Sequence, residues 1–91
     1  MSESSSILNK LNAVLCLISK SISENQRQDI LMYINANERG LAIETLCDLL
    51  YEDELSISVT AYDLLKETGN TLHLESETWE MLKPQVAKEG D

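Results

Sequence analysis

The stretch Gly40 to Leu55, GLAIETLCDLLYEDEL, constrains this chain more than any other, because a helical apolar pattern and the densest acidic cluster share the same residues. At about 100° per residue, Ala42, Ile43, Leu46, Leu49 and Leu50 fall on one face of a helix, while Glu44, Asp48 and Glu52 form an i, i+4, i+8 strip on the other. One face builds a core and the other presents charge. Between Gly40 and Leu65 stand six acids, Glu44, Asp48, Glu52, Asp53, Glu54 and Asp63, with no Lys or Arg among them. Like charges at i, i+4 weaken a helix by a few tenths of a kcal/mol per pair. The strip does not serve helix formation, so either solubility tolerates it or a basic partner uses it.

The rest of the chain supplies partners for that helix and little else. From Ile7 onward, Ile7, Leu8, Leu11, Val14, Leu15 and Ile18 form an unbroken stripe that predicts a helix to about Ser19, with one of the serines at 4–6 as its cap. Ser23 to Gln26 has the capping-box form, which starts a second helix at Glu24. Ile30, Leu31 and Ile34 carry its apolar side, and it is expected to end near Asn37, with Gly40 turning the backbone. The third helix then runs from Arg39 or Gly40 to Asp53.

Ser58 as N-cap, with Ile57 before it and Tyr62 at N4, gives a hydrophobic staple for a fourth helix. Tyr62, Leu64 and Leu65 form its apolar side, and Gly69-Asn70 after Thr68 reads as its stop. A last short helix opens at Glu75 or Ser76, is buried through Trp79 and Leu82, and ends or kinks at Pro84. No alternating pattern survives this pass. The expected architecture is an all-α, compact single-domain bundle of about five short helices over residues 1–91, centred on the first and third, with 1–5 and 87–91 flexible.

Composition narrows what such a bundle does. Sixteen acids against seven bases give a net charge of −9, which repels phosphate backbones and anionic lipid, so direct binding to nucleic acid or membrane is not expected. The same field speeds encounter with a basic protein. Cys16 and Cys47, the only cysteines, lie in apolar helical patterns without metal or redox spacing and are read as buried free thiols. The apolar run Ala13 to Ile18 is too short to span a bilayer, and the acidic, Ser-rich lead is unlike a secretion signal. A cytoplasmic setting is the expectation.

No catalytic constellation emerges. The single His, His73, sits between two leucines near a turn, without a second ligand at metal spacing. Exposed carboxylates on a helix strip make poor general acids, and phosphate loops, zinc motifs and nucleophile elbows are absent from the sequence. Asp48 to Glu54 lacks the central Gly of a calcium loop. No Ser follows an Asp, as the attachment site of an acyl carrier requires. No enzyme activity, cofactor, metal or small-molecule substrate is therefore expected, and a binding surface remains. Tyr51, beside the acidic strip, suits an anchor because Tyr brings large contact area with little side-chain entropy. Packing against a neighbouring helix is the other use of that ring.

The string from Glu38 to Glu52 resembles the signature helix of the small MafI-type immunity proteins. Glu38, Leu41, Ala42, Glu44, Leu46, Asp48, Leu50, Tyr51 and Glu52 take the places of that family's motif. Downstream, Ser56-Ile57, Tyr62, Gly69 and Trp79 are similar in kind and order, with Thr68-Gly69 where Leu-Gly is usual. The resemblance covers roughly Ile30 to Leu82.

What it implies is a cytoplasmic protein that binds and neutralises the nuclease domain of a secreted polymorphic or contact-dependent inhibition toxin, commonly an EndoU-type RNase. An RNase cleft is a basic patch shaped for phosphates, and an array of carboxylates competes with RNA for it. The expected toxin-binding residues are Glu44, Asp48, Tyr51, Glu52, Asp53 and Glu54, with charge for steering and a few desolvated anchors for affinity. The alternative is an acidic helical adaptor or regulatory subunit for another basic protein.

Overall fold

The computed structural model describes residues 3–87, and its element order is α1 (Glu3–Ile18), α2 (Glu24–Asn35), α3 (Arg39–Glu52), α4 (Val59–Thr71), α5 (Glu77–Glu80) and a 3-10 turn, Lys83–Gln85. It is an all-α bundle with a radius of gyration of 12.2 Å. Residues 1, 2 and 88–91, expected to be flexible, lie outside the described residues. Glu3, Ser4 and Ser5, assigned to the same lead, are the first residues of α1. The serines at 4–6 are thus inside the helix and do not cap it.

The caps of α2 and α4 follow the sequence. Ser23 Oγ accepts from the Gln26 backbone N–H at 3.1 Å, and the Ser23 N–H donates to Gln26 Oε1 at 2.8 Å. Ser58 Oγ accepts from the Ala61 N–H at 3.0 Å, and Ile57 and Tyr62, the pair expected to form a staple, are both buried.

α2 and α3 end within two residues of the expected Asn37 and Asp53, whereas α4 runs on to Thr71, and all three helices reverse by one device. Asn37, Glu54 and His73 adopt left-handed backbone, with φ of 64°, 51° and 61°. Each sits in a Schellman motif, in which the next N–H reaches back over the last turn: Glu38 to Tyr33 O at 2.8 Å, Leu55 to Leu50 O at 3.0 Å and Leu74 to Gly69 O at 2.9 Å. None of these positions is a glycine. Gly40, expected to turn the chain, is the second residue of α3, and Gly69, expected to stop α4, lies inside it.

The core gathers Ile7, Leu11, Val14, Leu15 and Ile18 of α1, Ile30 and Ile34 of α2, Ala42, Ile43, Leu46, Cys47 and Leu50 of α3, and Leu65, Trp79 and Leu82 from the second half. Leu49 is only partly buried. α1 packs chiefly along α4, and α2 along α3, which also meets α4 and α5. The centre is therefore shared among four helices and is not an α1–α3 pair. Cys16 corrects a further reading: it is exposed on α1, because the buried stripe passes through Val14, Leu15 and Ile18 and leaves the 13–16–17 side outward. Among the described residues no helix is long and apolar enough to cross a membrane.

The segment after α5 closes the bundle. Ile57 N–H donates to Gln85 O at 3.0 Å and Ala87 N–H to Ile57 O at 2.7 Å, a single parallel bridge between Ile57 and Val86. The side-chain amide of Gln85 donates to Leu50 O at 2.7 Å and to Leu55 O at 2.9 Å. The end of α3 is thereby fastened to the 83–87 segment.

Candidate protein-binding face

With Ala42, Ile43, Leu46 and Leu50 turned inward, α3 must show its acids outward. Glu44, Asp48 and Glu52 are all exposed, and steps of four residues set them about 6 Å apart along the helix. Tyr51 is 49% exposed, so its ring is not absorbed by packing against a neighbouring helix. The last turn of α3 holds no basic residue and is followed by Asp53 and Glu54. Anions at a helix C-terminus oppose the macrodipole, each by roughly 0.3–1 kcal/mol. Glu54 adds the strain of left-handed backbone in a residue with a β-carbon. Charge and conformation at this end of α3 both work against the isolated fold.

Two grooves flank this helix face, and Met81 borders both. The larger, about 780 Å³, lies between the end of α3 and the 83–87 segment and is lined by Tyr51, Glu52 and Glu54 on one side and Met81, Pro84 and Val86 on the other. The smaller, about 450 Å³, runs between α3 and α5, with Glu44 and Asp48 facing Glu77 across Leu41 and Thr45. Five of the six expected binding residues line these two grooves, which share Met81 and together make up an acidic trough: Tyr51, Glu52 and Glu54 the larger, Glu44 and Asp48 the smaller. Asp53 does not. Its carboxylate accepts from the Gln26 side-chain amide at 3.3 Å, which ties it to α2.

The ion pairs among the described residues lie elsewhere: Lys10 with Glu67 at 3.2 Å, Arg27 with Glu24 at 3.0 Å and Lys83 with Glu80 at 4.0 Å. None uses an acid of the trough. The field of the strip is felt inside the helix as well. Burial, reinforced by Asp48 and Glu44, pushes the Cys47 thiol up to about 12, so it stays protonated and unreactive.

This arrangement suits recognition by charge and shape. No group of three or more His, Cys, Asp or Glu side chains among the described residues is placed to hold a metal ion. The trough is open, and its carboxylates are exposed, which leaves them without the sheltered environment that tunes a general acid or base. His73 is exposed and spends its backbone on the α4 turn. Sequence reasoning missed the far wall, Met81, Pro84, Val86 and Glu77, because those residues come from a segment that begins 23 positions beyond Glu54. Their only local signal is the apolar run around Trp79, which reads as core. No protein-family model, curated protein or solved structure matches this chain.

Proposed function

We propose that this protein is an immunity protein that binds and neutralises the nuclease domain of a toxin, an EndoU-type RNase of a contact-dependent or polymorphic toxin system, and that it acts by occupation of a basic cleft without catalysis of its own. The observation that carries the reading is the trough itself. Glu44, Asp48, Glu52 and Glu54 are exposed, spaced along α3 and its C-terminal end, and outside the ion pairs of the described residues, beside an exposed Tyr51.

The motif that resembles the MafI-type helix supports this reading in a particular way. Its residues divide into two sets: Ala42, Leu46 and Leu50 are buried, whereas Leu41, Glu44, Asp48, Tyr51 and Glu52 are exposed. The buried set is explained by the core. The core does not account for the exposed set, and like charges along one strip oppose the fold. A cleft built for RNA phosphate carries the complementary charge, so the strip lowers the energy of the complex and speeds its formation. The cytoplasm, where an incoming nuclease meets RNA, is the setting this function requires.

The test is a stoichiometric one. The purified chain is mixed with a purified EndoU-type toxin domain encoded beside it, and cleavage of a labelled RNA is followed against the molar ratio of the two proteins. Protection complete near one equivalent is the expected result. Full cleavage at tenfold excess, with no complex by size exclusion, overturns the proposal.

A further inference from the structure

We infer that the larger groove, between the last turn of α3 and the 83–87 segment, is the seat of an arginine side chain presented by the basic partner protein. The inference rests on the binding-face reading and adds the chemistry of its anchor. The groove is amphipathic in a definite order, with Tyr51, Met81, Pro84 and Val86 as its apolar lining and Glu52 and Glu54 at its acidic border. A simple point cation gains from the carboxylates but not from that lining. A guanidinium does both: its flat, weakly hydrated face stacks on an aromatic ring, its stem covers apolar surface, and its N–H fork matches carboxylates.

Charge at the groove points the same way from an independent direction. α3 ends beside this groove without a basic residue in its last turn, so the negative end of its macrodipole adds to the field of Glu52 and Glu54 there. A cation seated there meets both. Steric access is present as well, because Tyr51 is half exposed and Glu54 and Pro84 are exposed. The opposite wall is held in place by Gln85, whose side-chain NH2 group donates to both Leu50 O and Leu55 O. The smaller groove lacks an aromatic residue, and α3 does not end beside it.

The test uses the full chain, labelled with nitrogen-15, and three probes titrated in turn: N-acetyl-arginine amide, N-acetyl-lysine amide and N-acetyl-leucine amide. Arginine amide is expected to give saturable shifts centred on Tyr51, Glu54, Met81 and Val86, at least threefold tighter than lysine amide, with leucine amide giving none. Tyr51→Ala and the double variant Glu52→Gln/Glu54→Gln are each expected to weaken it at least threefold with helicity unchanged.

Shifts spread equally over Glu24, Glu67 and Glu77, or equal affinity for lysine, or no effect of Tyr51→Ala, would overturn the assignment. The two readings fail separately. Absence of arginine binding with RNA protection intact removes the seat and leaves the inhibitor; arginine binding by a chain that protects no RNA removes the inhibitor and leaves the seat.

Discussion

The indole of Trp79 occupies the volume in which a side chain at position 69 would stand: a β-carbon built on Gly69 would lie 2.5 Å from Trp79 Cε3. Trp79 is buried and α4 passes directly over its ring, so the glycine is there for close approach and not for a turn. Gly69→Ala gains roughly 1 kcal/mol of helix propensity and meets a ring that cannot move without disturbing the core. A net loss of about 2 kcal/mol is expected, read as a lower urea midpoint. Gly40 is the control, since its β-carbon would meet only Leu74 Cδ2 at 3.5 Å. Gly40→Ala is expected to raise stability by about 0.5 kcal/mol. Equal effects at the two positions would contradict this account.

Left-handed backbone at Glu54 and His73 gives a second expectation. Glycine at either position removes a steric penalty of about 1 kcal/mol, and at 54 it also removes an anion from a helix C-terminus. Both Glu54→Gly and His73→Gly should unfold at higher denaturant than the parent chain. Only Glu54→Gly should also weaken binding of the basic partner. A variant at 54 that gains stability and keeps full affinity would show that the acid is not used.

Reversal of charge at Asp48 and Glu52 isolates the strip from the fold. Both are exposed and neither is in an ion pair among the described residues, so Asp48→Lys with Glu52→Lys is expected to leave helical circular dichroism unchanged. Association with the proposed toxin domain at low salt should slow by about one to two orders of magnitude, and the difference should shrink at high salt. Unchanged neutralisation by the double variant would sink the acidic-strip mechanism.

The two thiols separate in reactivity. Cys16 is exposed, whereas Cys47 is buried with its pKa raised from 9.0 to about 12. At pH 8 iodoacetamide is expected to label one cysteine per folded chain, at position 16, and the second only in denaturant. A folded pKa above the unfolded one means that the folded state holds the proton more tightly. That contribution is complete below about pH 9 and is lost as pH rises toward 12. Cys47→Ala should flatten the fall of stability across that window; an identical slope would mean that the thiol does not titrate there.

How far the chain could be read without its structure depended on whether a signal was local. The capping box at Ser23 and the cap at Ser58 each involve residues within about one turn and are found as expected, and the inward face of α3 follows its helical repeat except that Leu49 is only partly buried. The ends of α2 and α3 were legible to within two residues, but Gly40 and Gly69 were misread as reversals, which fall instead at Asn37, Glu54 and His73. A glycine needed for a distant indole looks no different in sequence from one needed for a turn. The acidic residues were legible as a strip, but the trough was not, since Met81, Pro84 and Val86 join Tyr51 only after the chain has folded back. Asp53 shows the converse: adjacent in sequence to Glu52 and Glu54, it is drawn away by Gln26.

The amide of Gln85, fixed between Leu50 O and Leu55 O, bears on timing. It joins α3 to the opposite wall of the larger groove, so the recognition surface is ordered when the bundle forms and the entropy of arranging it is lost at that stage. A partner binding this proposed surface would meet a template and not a loop that must still be shaped, and its speed of capture would follow diffusion and salt.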